Sequence, residues 1–368
     1  MRLSIIYSAF DIIQYNFIAS SILTIGLAYI FSVSCIPKII TLSDRFQLLD
    51  SPNSRKSHKH PKPTFGGIGI FLGILSLLFI LPTNSTLYLV LGCSFCLLIM
   101  GILDDLFNMK VLIRLILEIA LSYILFYNGF KISSLYGIFG INELHPIISF
   151  LLTTVFIVGL TNAFNLLDGI DGLAGGIFCI NSLTFAILFL LNQDFIFALL
   201  AFSSFGACLG FLKFNFNPAK IFMGDTGSLF LGFLMAIFFI RIFSSSQNPQ
   251  FPIIFALIML PIFDTVRIIF TRLTAKKSPF CADKNHLHHL LLEKGLNHQK
   301  ASLVLYSYHL VSITLSILVI QLPLEDSLII LVILNLFFQL YVQLHKTLRT
   351  YILFIKLKQL YRQGRKQY

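Results

Sequence analysis

Runs of about twenty apolar residues, separated by short polar stretches, leave this chain few ways to fold, because a hydrocarbon core about 30 Å thick is crossed by about 20 helical residues. About eleven such runs begin near positions 17, 65, 86, 112, 146, 173, 195, 226, 251, 302 and 326. The chain is 57% hydrophobic and only 12% charged, where soluble domains carry about a quarter charged residues. Lipid offers no partner for backbone N–H and C=O groups, so each run is expected to satisfy its own as an α-helix. The expected fold is an all-α, polytopic integral membrane protein, with one membrane domain over residues 1–345 and a basic tail over 346–368.

Charge sets the expected orientation. The connection from Lys38 to Thr64 holds Lys38, Arg45, Arg55, Lys56, Lys59 and Lys62, which places it in the cytoplasm and the N-terminus outside. All but Arg2, Lys131 and Arg241 of the 27 Lys and Arg residues then fall at the inner face, and the C-terminus is cytoplasmic. The net charge of +11 is accounted for by this asymmetry and by affinity for anionic membrane lipid, so no nucleic-acid partner is called for. Five of the six cysteines lie in apolar runs and Cys281 in a basic loop, which is no disulfide framework. Cys93 and Cys96 read as small packing residues, and nothing resembles a cleavable secretion signal.

Against this background the polar residues stand out. Asn162 to Gly176 reads NAFNLLDGIDGLAGG: two amides and two carboxylates beside four glycines that let backbone approach a ligand. Asp168 and Asp171, three apart, would share a face if the segment were helical; the plainer reading is a polar loop with Asp168 as an N-cap. Asp104 and Asp105 end the third run, side by side, and should point in different directions on a helix, one toward a cation and the other toward a proton or a structural task. Arg114 enters the next run. Asp225 precedes Thr226, Gly227 and Ser228 at the start of the eighth run, with Phe222 three residues before it. The basic loop ending PKPTFGG could hold an anion through side chains and free N–H groups at Gly66 and Gly67. Asp264 and Arg267 form a candidate structural ion pair. His286, His288 and His289 could suggest zinc, but the surrounding acids are oxygen donors that suit magnesium.

Asp104, Asp105, Asp168, Asp171 and Asp225 all fall at run ends on one expected face. Carboxylates for magnesium and cations for phosphate are what phosphoryl or phospho-sugar transfer requires. The competing class is a transporter, which concentrates its polar site near the bilayer midplane in matched halves.

DD at 104 and 105, NAFNLLDGIDGLAGG, FMGDTGS and SPFCADKNHLHHL together resemble the polyprenyl-phosphate N-acetylhexosamine-1-phosphate transferase family, over about Asp50 to Gly295. The likeness is strongest to bacterial undecaprenyl-phosphate N-acetylglucosaminyl-1-phosphate transferases that begin O-antigen, common-antigen or teichoic-acid assembly. It implies a multi-pass enzyme of the bacterial cytoplasmic (inner) membrane that moves GlcNAc-1-phosphate from UDP-GlcNAc to undecaprenyl phosphate and releases UMP. It also implies magnesium, with manganese as a substitute. By the same likeness Asp225 is a metal ligand with Asn165 or Asp168 adjoining. Asp171 helps bind uridine, Phe222 stacks on uracil, and Asp104 and Asp105 do acid/base or metal-linked work on the lipid phosphate. Arg114, Arg272, His286, His288 and His289 hold phosphates or sugar. The spacing His286, Leu287, His288, His289 matches the GlcNAc branch, where the muramoyl-pentapeptide branch has three consecutive histidines. Other UDP-N-acetylhexosamines remain alternative donors, and homodimerisation stays open.

Overall fold

The computed structural model describes residues 17–50, 61–81, 84–245, 250–278 and 285–364. Most of the basic loop before Gly66, and the 279–284 part of the motif leading to His286, lie outside these residues. So do Arg2 and Cys281.

The described chain is helical apart from short connections and one two-residue antiparallel ladder. In order come α1 (Phe17–Arg45), β1 (Leu49–Asp50), β2 (Lys62–Pro63), α2 (Gly66–Leu75) continued by a 3-10 turn (Ser76–Phe79), α3 (Ser85–Phe107), α4 (Val111–Tyr127) and α5 (Pro146–Leu167). Then follow α6 (Leu173–Leu191), α7 (Phe195–Asn215), α8 (Asp225–Ser244), α9 (Phe251–Thr274), the short α10 (Leu287–Glu293), α11 (His298–Leu318) and α12 (Leu324–Gly364). Among the described residues nine helices are long and apolar enough to cross a membrane. The other two expected runs are shorter: Gly66–Phe79, and α4 with 17 residues. The basic stretch expected as a separate tail continues α12 as far as Gly364.

Local chemistry starts these helices where the apolar runs begin. Asn84 accepts from the Leu87 N–H at 2.8 Å and Asn297 from the Lys300 N–H at 2.9 Å, each satisfying a donor that the first turn leaves without a partner. Pro146 stands in the first turn of α5, where its missing N–H costs nothing.

The bundle is built around α8, in which every residue from Thr226 to Ile240 is buried. It packs on α5 and α3, with α2 and α6 alongside, while α1, α2, α6 and α7 close a second layer. Two glycines allow the closest approaches: a Cβ on Gly101 would collide with the Asp225 carbonyl, and one on Gly67 with the backbone of Gly227. Outward faces are apolar too, as at Leu112 and Ile116 of α4, Val155 of α5 and Phe270 of α9. Such faces suit a lipid surround, where packing and hydrogen bonds join helices without a hydrophobic drive between them.

Polar residues gather at opposite ends of this bundle. One end carries the Arg241–Asp194 ion pair at 2.7 Å, with the guanidinium over the Phe197 ring and Lys131 bonded through its carbonyl to Ser244. The starts of α2, α8 and α10 and the ends of α3 and α5 form the other.

Candidate active site

The first residue of α8 is Asp225, and its N-cap, Gly224, sits at φ 70° with no side chain to cap the helix. The cap comes from another helix. Asp105, near the end of α3, accepts the Asp225 and Thr226 N–H groups at 3.0 Å each and the Thr226 hydroxyl at 2.6 Å. Both its oxygens are thus engaged at the start of α8. Asp104 points elsewhere, as adjacent helical positions must. One of its oxygens accepts the Met109 N–H at 2.7 Å and the other the Arg114 guanidinium at 3.0 Å.

Arg114 also reaches Asp225, at 3.5 Å. From α5, Asn165 donates its amide to the second oxygen of Asp225 at 2.6 Å and to Ser228 at 2.8 Å. In that orientation Asn165 braces the carboxylate and turns nitrogen toward it, not a second oxygen. Asp104 and Asp225 share the Arg114 Nη1, so α3, α4, α5 and α8 converge at one carboxylate.

Asp168 and Asp171 do not share a helical face. Helix α5 stops at Leu167, Asp168 is its C-cap residue rather than an N-cap, and α6 starts only at Leu173. Gly172, at φ 80°, turns the chain into α6, and the missing Cβ of Gly169 leaves room for the His288 ring. Burial, with the neighbouring Asp225 and Asp105 charges, pushes the Asp168 carboxyl up to about 7. Asp171 faces the other way. Burial alone would raise it, but hydrogen bonds from His298 (3.2 Å) and the Ala219 N–H (3.0 Å), with the Lys62 charge, hold it below the usual carboxylate range. The turn is clamped by Ser302, which donates to the Asp171 carbonyl, and by Tyr306, which donates to that of Gly172.

Phe222 is fixed by its backbone: its N–H donates to Pro63 at 2.8 Å and its carbonyl accepts from Gly66 at 3.0 Å. The Gly67 N–H likewise donates to Met223. The expectation of free N–H groups at the start of α2 is therefore corrected, because the strand-like segment before α8 consumes both donors. Lys62 sits over the Phe222 ring at 5.0 Å, a cation–π contact that also brings its charge near Asp171.

The histidines arrive on α10. Asp264, in α9, binds His286 at 2.9 Å, Arg267 at 2.7 Å and the Leu287 N–H at 3.2 Å. The expected Asp264–Arg267 pair is present and caps α10 as Asp105 caps α8. His288 is buried between His286 and His289, presses on Gly169, and has no hydrogen-bond partner at either ring nitrogen. Burial first, then the adjacent imidazoles, hold it well below the ordinary histidine range, so it stands there neutral. Arg272 lies buried in the last turn of α9, about two turns beyond Asp264. The histidine cluster and the carboxylate turn thus form one continuous site.

Lys62, Glu118, Thr226 and His298 were not singled out as site residues from sequence. Glu118 carried a readable signal, an acid inside an apolar run four residues after Arg114; the other three are ordinary residues until the fold places them.

The donor set fits a hard divalent cation. Asp104 and Asp225 share one guanidinium, and Asp168 lies near enough to feel the Asp225 charge. Among the described residues no three His, Cys, Asp or Glu side chains form a cage by themselves. Magnesium is commonly held that way, by one or two carboxylates completed by substrate phosphate and water.

Comparison with known proteins bears on the family of the chain. Residues 87–243, which hold all the carboxylates around Asp225, match the model of glycosyl transferase family 4. A probable undecaprenyl-phosphate N-acetylglucosaminyl 1-phosphate transferase of Bacillus subtilis is 32% identical over 310 residues, 83% of this chain and 86% of the relative. The undecaprenyl-phosphate alpha-N-acetylglucosaminyl 1-phosphate transferase of Escherichia coli K12 is 32% identical over 69% of this chain and 71% of its own. A decaprenyl-phosphate N-acetylglucosaminephosphotransferase of Mycolicibacterium smegmatis is 32% identical over 72% and 73%. With its motifs in one site and its similarity spread over most of its length, the chain belongs to the bacterial polyprenyl-phosphate N-acetylhexosamine-1-phosphate transferase family.

Proposed function

We propose that this protein transfers GlcNAc-1-phosphate from UDP-GlcNAc to undecaprenyl phosphate, releasing UMP, at the cytoplasmic face of a bacterial inner membrane. The observation that carries the reading is the convergence of Arg114 and Asn165 on Asp225 at the start of α8, with Asp104 on the same guanidinium. The chain is taken to cross the membrane eleven times, N-terminus outside, as the bias of Lys and Arg supports. The product would initiate a cell-surface polysaccharide such as O-antigen, common antigen or teichoic acid.

Asp225 and Asp104 would hold magnesium, with Asp168 adjoining and Asn165 fixing the Asp225 carboxylate. When bound, the ion supplies charge neutralisation on the diphosphate as the P–O bond to UMP breaks. Asp105, its oxygens spent on Asp225 and Thr226, keeps Asp225 in place. Asp104 is the member of the pair that faces the reaction and steers the acceptor phosphate oxygen toward the β-phosphate. Phe222 stacks on the uracil after Lys62 leaves its ring for phosphate, and Asp171 shapes the uridine end. His286, His289, Arg114 and Arg272 meet phosphate or sugar, and neutral His288 holds the 168–172 turn against α10.

The test is transfer of label from UDP-GlcNAc, UDP-GalNAc and UDP-MurNAc-pentapeptide to undecaprenyl phosphate by purified protein, with magnesium, with manganese and with chelator. Labelled lipid and UMP from UDP-GlcNAc alone, dependent on the cation, is expected. Label from a different donor would change the substrate assignment, and none from any donor would overturn the reaction.

A further inference from the structure

Glu118 lies within α4, fully buried, flanked by Leu115, Ile116 and Leu117 on one side and Ile119, Ala120 and Leu121 on the other. An acid there is costly to keep and calls for a task. One of its oxygens accepts the Asn162 amide at 2.6 Å, and that amide also donates to the Val158 carbonyl at 2.9 Å. The other oxygen, Oε1, has no hydrogen-bond partner. It faces Arg114, one turn nearer the site, whose Nε stands 4.0 Å away.

Arg114 is therefore contested. Its Nη1 leans on Asp104 at 3.0 Å and Asp225 at 3.5 Å, while the charge of Glu118 pulls the Nε side back along α4. A divalent cation between Asp104 and Asp225 would repel the guanidinium at short range, and the idle Oε1 of Glu118 is the acceptor poised to receive it. We infer that Glu118 is a positioning residue that receives Arg114 when a divalent cation displaces it from Asp104 and Asp225, so that these carboxylates can be freed for the ion. The inference rests on the proposal that Asp104 and Asp225 are the cation-binding carboxylates.

It has a sign that a packing role lacks. Without the Glu118 charge, Arg114 has no acceptor to move to, stays on Asp104 and Asp225 and competes harder with the cation; without Arg114, Glu118 has nothing to receive. The measurement is Mn2+ binding by loss of the free-ion paramagnetic resonance signal, on full-length protein in detergent without substrate, which reads the site independently of turnover. Glu118→Gln, close in volume and uncharged, should weaken Mn2+ binding about fivefold or more, and Arg114→Ala should tighten it. In the Arg114→Ala background Glu118→Gln should change affinity less than about twofold, the non-additivity expected of residues that act through one another.

Glu118→Ala is the companion variant, expected to follow Glu118→Gln. Melting temperature and monodispersity without metal show whether either variant is folded, and the Gln variant decides if the Ala variant is not. Wild-type affinity in Glu118→Gln overturns the inference, as does an equal weakening with and without Arg114. If saturable Mn2+ binding is absent from the wild-type protein, the metal site itself falls and the inference with it. Saturable wild-type binding with an additive cycle sinks the inference alone.

Discussion

The most informative single perturbation is Asp168→Asn, because it separates what the carboxylate does for function from what it does to the fold. Its carboxyl titrates at about 7 in the folded protein against an ordinary 3.8, raised by burial and by the Asp225 and Asp105 charges. At about 1.4 kcal/mol per unit, three units set a ceiling of roughly 4 kcal/mol on the cost of ionising it. Its side chain is only partly buried, so solvent screening reduces this to about 1–2 kcal/mol. Between pH 4 and 7 the folded state keeps a proton that the unfolded chain has released. Its stability contribution therefore falls as pH rises through that window and stays low above it. Asn never ionises. In metal-free buffer the variant should match the wild type near pH 4 and exceed it at pH 8, by a few degrees in melting temperature, while losing most of its transfer activity. The chain has no Trp, so size-exclusion after stepwise heating is the suitable assay. A difference that does not widen with pH, or a variant less stable than wild type at pH 8, would refute the account of Asp168 as a carboxylate held under electrostatic strain.

Three other substitutions test the neighbouring parts. Asp225→Asn should abolish transfer while shifting the melting temperature little; near-normal turnover would remove Asp225 from the cation site. Phe222→Ala should raise the KM for the UDP-sugar roughly tenfold, the scale of one base–aromatic stack, with kcat changed less; an unaltered KM would make the ring packing only. Asp105→Ala uncaps α8 and should cost about 1–2 kcal/mol of stability, measured by the same heating assay, as an N-cap deletion does. A loss of activity with unchanged stability would instead place Asp105 at the reacting atoms.

How far sequence carried these conclusions depends on whether the relevant interaction is local. The starts expected near 65, 146, 173, 195 and 251 fall at Gly66, Pro146, Leu173, Phe195 and Phe251, because hydropathy and the first-turn chemistry of a helix lie in the same few residues. The run expected near 302 begins instead at His298, where the Asn297 cap draws a polar turn, HQKA, into the helix. The divergence of Asp104 from Asp105 was also readable, since it follows from helical geometry alone. Their separate tasks were not: the donors that occupy Asp105 lie about 120 residues further on, and no local pattern announces them. The free N–H groups expected at Gly66 and Gly67 failed for the same reason, as did a shared helical face for Asp168 and Asp171, where the helix ends at Leu167 and the next starts only at Leu173.

These non-local links follow a single physical logic. A helix that begins at a membrane surface exposes backbone N–H groups that a neighbouring acid can satisfy. Here Asp105 serves α8 and Asp264 serves α10, and each such cap locks one helix end against another to within hydrogen-bond distance. Capping ties Asp105 to the first N–H groups of α8 and Asp264 to the Leu287 N–H of α10. The acids left, Asp104, Asp168 and Asp225, face one another across the gap with Arg114 as the nearest guanidinium and Glu118 behind it. Such a cluster is internally repulsive without a cation and is relieved by one, so binding energy from an incoming ion and its phosphates would go first into ordering side chains the fold has already brought within reach. Preorganisation by the caps and strain among the remaining acids are thus two consequences of the same arrangement, and Asp105→Ala and Asp168→Asn should move stability in opposite directions at pH 8.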